Sequence, residues 1–239
     1  MEDWSELRID LDNSHYLRRL KPHDLKGLRT LYKKLHKVLS ENGHETFMHW
    51  RTKEELWKLL HDSWEDQKRF VGLFDEKKNL FGTSFIQICT KKNKKVLESE
   101  FPDSPIDLFK ENKNAKIAIF GGDWIDPEKR GEGWNRKMVE KKCELAKEKW
   151  CDYAIAIIDP RNTRNISPYL KNGFTVVWFW TDPSDGGPIM YLVRDLKSHM
   201  SERIQPEVPY IKHYKPRDTA IFDILNGGYK KKAVLLKAV

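Results

Sequence analysis

The stretch Ile125-Asp126-Pro127-Glu128-Lys129-Arg130-Gly131-Glu132-Gly133-Trp134-Asn135 decides the reading of this chain. Before it runs an apolar, strand-like segment, Lys116 to Trp124. After it, from Trp134 to Trp150, Met138, Val139, Cys143, Ala146 and Trp150 recur near one helical face. The stretch is therefore a strand-to-helix turn. Gly131 and Gly133 carry no side chain, so backbone there can come close to a ligand. A helix that starts near Trp134 has unpaired amide donors in its first turn, and its dipole favours an anion such as a diphosphate. Arg130 adds a charge-assisted contact. Glu132 is an awkward neighbour for an anion unless it turns to water. An ordinary tight turn is the competing reading of two glycines. Two familiar phosphate motifs fail on residues. A P-loop needs a lysine and a hydroxyl where Trp134-Asn135-Arg136 stands, and a dinucleotide fingerprint needs a glycine-like residue at Arg136.

Working outward, Tyr153 to Ile158 is almost continuously apolar, as a strand buried on both sides should be. Ile166 to Asn172 fits a short helix that Pro168 limits to its first turn or bends, and Gly173 stops it. Strands 174–180 and 189–194 follow, separated by a turn-rich run from Asp182 to Pro188. Upstream, 69–74 and 80–88 read as a hairpin around Asp75 to Asn79. Thr52 with Glu55 makes a capping box for a helix lined by Leu56, Leu59 and Leu60. Leu25, Leu28, Leu31, Tyr32, Leu35 and Leu39 mark an earlier helix that Asn42-Gly43 ends, and His15 to Leu20 reads as a first strand. The result is one mixed α/β domain over 14–195, with residues 1–13 as an extra N-terminal segment. Residues 90–114, rich in Lys and Asn and holding Pro102 and Pro105, are an insertion. An extension, 196–239, carries Tyr210, Ile211, Tyr214 and Phe222 and is expected to pack on the domain or on a partner.

Composition narrows the function classes. The 239 residues are 39% hydrophobic and 33% charged, which is globular rather than disordered. No run approaches the length of a membrane span. Met1-Glu2-Asp3-Trp4 opens without the basic and apolar regions of a secretory signal, so a cytoplasmic setting is expected. Cys89, Cys143 and Cys151 form no metal-like cluster, the eight histidines have no ligand spacing, and no metal is expected. The net charge of +8 suits a phosphate-bearing ligand or, on a larger scale, nucleic acid, while a lysine-rich solvated surface is the plainer account. Trp50, Trp57 and Trp64 recur seven apart and read as core or interface packing, or as one wall of a groove.

The turn also resembles the cofactor motif of the GCN5-related N-acetyltransferase family. That pattern is arginine or glutamine, two residues, glycine, one residue, then glycine or alanine. Arg130, Gly133 and Asn135 fall on its positions, with Asn135 departing from the small final residue. A second segment, Asp159 to Phe174, is similar to the family's stretch after its fifth strand, with Asn162 and Tyr169 at the matching places. Leu20-Lys21-Pro22-His23-Asp24 is similar to its first strand-to-helix junction. Order and spacing agree across the domain.

The resemblance implies a central mixed, splayed β-sheet flanked by helices, with acetyl-CoA entering the split as cosubstrate. Backbone at Trp124 and Ile125 would pair with the pantetheine arm. Arg130, Gly131, Glu132, Gly133, Trp134 and Asn135 would surround the pyrophosphate, and Asn162 would orient the cofactor. It further implies an acetyl group passed by direct attack to a small amine or a protein amino group. Asp123 is then the candidate base, or else a residue that hydrogen-bonds its turn. Tyr169 is the candidate proton donor to the departing thiolate, or else a packing aromatic. A homodimer fits the same reading. The alternatives are a catalytically degenerate acyl-CoA-binding module, or a basic protein of this fold that binds or acts on RNA such as aminoacyl-tRNA.

Overall fold

A computed structural model describes residues 7–43, 51–65, 68–93, 114–181 and 188–197. In chain order the elements are β1 (Arg8–Asp10), β2 (Tyr16–Arg19), α1 (Leu25–Glu41), α2 (Lys53–Glu65), β3 (Lys68–Phe74) and β4 (Leu80–Cys89). Then come β5 (Ile117–Ile125), α3 (Trp134–Glu148), β6 (Tyr153–Ile158), α4 (Thr163–Lys171), β7 (Thr175–Thr181) and β8 (Pro188–Asp195). The strands form one sheet in the order β1-β2-β3-β4-β5-β6-β8-β7. Only β5 and β6 run parallel; every other pair is antiparallel. The mixed, helix-flanked sheet expected from the sequence is thus present.

Alternation along the strands sorts the two faces. Tyr16, Phe70 and Phe74 point to the side covered by Leu28, Leu31, Tyr32 and Leu35 of α1 and Leu56 and Leu60 of α2. Leu17, Val71 and Leu73 point the other way, onto Trp134 and Met138 of α3. Further along that second face, Val139, Cys143 and Ala146 of α3 and Ile166 and Tyr169 of α4 pack on Ile86, Ala118, Phe120 and Ala156.

Most expected elements are found within a few residues. The Thr52–Glu55 capping box forms, with Thr52 N donating to Glu55 Oε2 (2.7 Å) and Glu55 N to Thr52 Oγ1 (3.2 Å). Three expectations change. Residues 8–10, read as part of an extra N-terminal segment outside the domain, are an edge strand on β2. Helix α4 begins three residues earlier than predicted, at Thr163, so Pro168 sits past its first turn. Trp150 is not on the buried face of α3: the helix ends at Glu148, Trp150 adopts φ 58° beyond it, and its side chain is 84% exposed. Trp57 is 47% exposed, while Trp50 and the side chain of Trp64 lie outside the described residues. So do most of the 90–114 insertion and nearly all of 196–239. No described helix is long and apolar enough to cross a membrane.

Candidate active site

The sheet opens at its centre. β5 and β6 pair from Ile117↔Tyr153 only as far as Phe120↔Ala156. Beyond that point β5 continues along β4 to Ile125↔Gly82, while β6 continues along β8 to Ile158↔Met190. Five residues of β5, 121–125, therefore have a partner on one edge only.

A β-bulge sits in that free stretch. Thr83 pairs with Trp124 and Phe85 with Gly121, so Ser84 faces two residues, Gly122 and Asp123. Gly122 takes φ 63°, a left-handed conformation that glycine adopts without penalty. A side chain on Gly121 would lie 2.6 Å from the Phe85 ring. The extra residue changes which face each later side chain meets. Ala118 and Phe120 face α3 and α4, and strict alternation would send Gly122 there and Asp123 away. After the bulge it is Asp123 and Ile125 that face α3, while Trp124 turns to α1 and meets Tyr32 with ring centroids 4.6 Å apart.

Asp123 enters a buried polar cluster supplied by four elements. Lys142 Nζ of α3 donates to Asp123 Oδ1 (2.6 Å), to Ser84 Oγ of β4 (2.8 Å) and to Tyr169 Oη of α4 (3.2 Å). Tyr169 Oη donates to Asp123 Oδ2. Ser84 Oγ lies within hydrogen-bond reach of Asp123 Oδ1 and of the Gly121 carbonyl (3.0 Å). The Lys142 and Asp123 side chains are 0% and 1% exposed, and Tyr169 is equally enclosed. Burial, and then the charge of Asp123, push the Tyr169 phenol well above its ordinary range, so it keeps its proton. Burial presses the Lys142 ammonium down, with Asp123 opposing that trend. The two residues named from sequence, Asp123 and Tyr169, are thus in direct contact. Lys142 and Ser84 were missed. The signal for Lys142 was its place in the apolar stripe, one turn after Met138 and one before Ala146.

The glycine turn lies at the open end of the split. Gly131 and Gly133 both take left-handed backbone, φ 88° and 81°, and a side chain built on either would touch nothing within 4 Å. Their backbone is therefore uncovered by the described chain. Gly133 precedes α3 and gives its first turn no side-chain cap. Lys34 of α1 braces the turn through Asp126 (2.9 Å) and Glu128 (3.2 Å). Glu132 does not simply point to water: it accepts from Trp134 Nε1 at 2.9 Å. Trp134 is buried, with its ring 4.3 Å from that of His15 and 5.3 Å from that of Phe81, so its side chain belongs to the core.

Asn135 Nδ2 donates to Asn165 Oδ1 at 2.8 Å, which ties the start of α3 to α4. Its size, the departure from the family pattern, thus supplies an interhelical contact. Asn162 caps α4 by position, yet its side chain makes no capping hydrogen bond. Arg130 has a neighbour that sequence reasoning passed over. Burial, and next the charge of Arg164 at the start of α4, lower its guanidinium from its ordinary value, and Asp126 only partly opposes them. Two guanidinium groups that feel each other's charge, beside open backbone amides, suit an anion with more than one charge. Among the described residues no group of His, Cys, Asp and Glu is arranged to hold a metal ion.

No family model matches the chain, and no curated protein matches it in sequence. Solved structures do. A chimera of spermidine N-acetyltransferase SpeG from Vibrio cholerae and hSSAT superposes with a TM-score of 0.54 at 17% identity, covering 76% of this chain and 95% of its own. RimL, a ribosomal L7/L12 alpha-N-protein acetyltransferase in complex with coenzyme A, gives 0.57 at 13% identity over 79% and 98%. An acetyltransferase of the GNAT family from Bacillus anthracis gives 0.58 at 12% identity over 80% and 100%. At such identities the likeness is one of fold: the chain has the fold of the GCN5-related N-acetyltransferases.

Proposed function

We propose that this protein is an N-acetyltransferase that passes the acetyl group of acetyl-CoA to an amine by direct attack. The observation that carries the reading is the polar cluster of Asp123, Lys142 and Tyr169 at the root of the β5–β6 split, with the open glycine turn at its mouth. The backbone of Trp124 and Ile125 would hold the pantetheine arm. The amides from Gly131 to Asn135, with Arg130 and Arg164, would hold the pyrophosphate, and Asn162 would use its uncommitted side-chain amide. The bound thioester supplies an activated acyl carbon. This chain contributes placement, which is a large part of the acceleration of a direct transfer. It also contributes two proton-handling groups: Asp123 Oδ as the acceptor for the amine proton and Tyr169 Oη as the donor. The acceptor is a small amine or a protein amino group, by analogy with the spermidine and ribosomal-protein acetyltransferases of like fold.

The enclosure of Asp123 supports a second reading, an acyl-CoA-binding module without turnover. Its carboxylate already has Lys142, Ser84 and Tyr169 around it at 1% exposure. One titration series separates the readings. Acetyl-CoA binding followed by release of free thiol on adding amines supports the enzyme. Binding without thiol release from any small amine or amino-terminal peptide supports the module. Folded protein that does not bind acetyl-CoA sinks both.

A further inference from the structure

Lys142 is a full charge in a place that packing alone would give to an apolar residue. It stands in the stripe of α3 between Met138 and Ala146, with 0% of its side chain exposed. Burying an ammonium is costly unless it is paired and hydrogen-bonded. Here every donor is used, and none goes to the backbone of its own helix: the three bonds reach β4, β5 and α4. The aromatic rings of Phe120 and Tyr169 complete the enclosure, with centroids 4.8 and 5.4 Å from Nζ.

We propose that Lys142 is the positioning residue of this site: its ammonium anchors Asp123 Oδ1 and fixes the Tyr169 hydroxyl as a donor aimed at Asp123 Oδ2. The inference rests on the acyltransferase reading, in which those two groups handle the protons. The geometry forces the second half of it. An ammonium has no lone pair, so Tyr169 Oη can only accept from Nζ, and its own proton must go elsewhere. The acceptor in reach is Asp123 Oδ2. The first half follows from what surrounds the carboxylate. Besides Lys142, among the described residues it is bonded to the hydroxyls of Ser84 and Tyr169, and neither brings a charge. Cys143, next along α3, is itself pushed up by burial, against the opposing charges of Arg194 of β8, Lys142 and Lys147. Lys142 is thus the one cation bonded to Asp123 among the described residues.

The test begins without substrate. In the native protein the Tyr169 hydroxyl proton, assigned by its loss in Tyr169→Phe, should give a slowly exchanging hydrogen-bonded signal, and Lys142→Met should speed its exchange about tenfold, the weight of one hydrogen bond. In the turnover assay kcat should fall while the acetyl-CoA dissociation constant holds, and Lys142→Arg should restore part of the loss. A merely structural role would lower the melting temperature and leave the hydroxyl exchange in place. Unchanged hydroxyl exchange in folded Lys142→Met overturns the proposal. Should that variant not fold, the nitrogen-15 signal of Lys142 Nζ in the native protein decides: a charged ammonium coupled to Asp123 at neutral pH supports it, and a neutral amine overturns it. Because the hydroxyl and amine signals are read in the unliganded protein, they stand or fall separately from any failure to bind acetyl-CoA.

Discussion

Tyr169 has one proton and a neighbour already holding it. In the resting protein that proton lies toward Asp123, and Lys142 fills a lone pair of the same oxygen. If Tyr169 is the proton donor of the transfer, Tyr169→Phe removes it while leaving the ring packed against Phe174, centroids 5.0 Å apart. The expected outcome is a fall in kcat of about 10²- to 10⁴-fold, the usual weight of a placed acid. The dissociation constant for acetyl-CoA, read by calorimetry, should hold, because the phenol is not part of the anion site. In the same proposed reading Arg164 belongs to the anion site. Arg164→Gln should weaken acetyl-CoA binding about tenfold or more, as loss of a charge-assisted hydrogen bond does, and leave kcat at saturation unchanged. The residues of the turn, with Asn162 and Tyr169, were legible because they fall in two compact motifs. Lys142 was not. A lysine in a helix reads as solvated, and what buries this one are Ser84 and Tyr169, 58 and 27 positions away in the chain.

At the scale of elements, the bulge in β5 does what the strand pattern alone would not. Gly121-Gly122 inside an apolar run is a visible sign of an irregular strand, but which face Asp123 takes depends on pairing with Ser84, which a single segment does not reveal. Gly122→Ala adds a side chain at φ 63°, 3.1 Å from Phe85 Cδ1. The left-handed conformation then costs about 1–2 kcal/mol, a melting-temperature loss of about 2–8 °C for a domain of this size. Acyl transfer should fall further than stability does, since relief of the strain straightens the strand and turns Asp123 off the cluster. The junction before α1 makes a second case. Arg18 of β2 holds both oxygens of Asp24 at 2.7 Å, and the Lys21 amide donates to one of them at 2.8 Å. Burial pushes that carboxyl up, but the Arg18 and Lys21 hydrogen bonds outweigh it and hold the group below its ordinary value. Asp24→Asn should cost about 1.5–3 kcal/mol at neutral pH. A depressed carboxyl contributes stability above its unfolded value, near pH 4, and loses it as pH falls through the folded value. The gap between wild type and variant in denaturant titrations should therefore close as the pH drops below 4. The long helices and the central strands were legible from period and caps. The three-residue β1 was not, because so short an edge strand has no pattern of its own and is defined by the register Arg8↔Arg18 to Asp10↔Tyr16.

Taken whole, the molecule is two half-sheets joined by a short parallel seam. The β1–β5 half carries the bulge and the glycine turn that leads into α3, the β6–β8 half is bridged to it by α4, and the direct seam is four residue pairs long. Beyond the seam the halves share the apolar cluster under α3 and α4 and a set of polar cross-contacts: Lys142 and Asp123 with Tyr169, and Asn135 with Asn165. A ligand lying in the split touches both halves, so its binding energy adds to a junction with few strand pairs. If acetyl-CoA is that ligand, saturating it at about a hundred times its dissociation constant should raise stability by about 2.7 kcal/mol, or about 5–11 °C in melting temperature. Hydrogen exchange locates the effect. Amides of 121–125 and 131–135 should slow together with those of 156–165 on the far side of the split. Strands β2 and β3 should change only as far as global stability does. Protection confined to 131–135 would mean that the pyrophosphate binds while the pantetheine arm stays outside, and the split would then lose its claim to be the site of transfer.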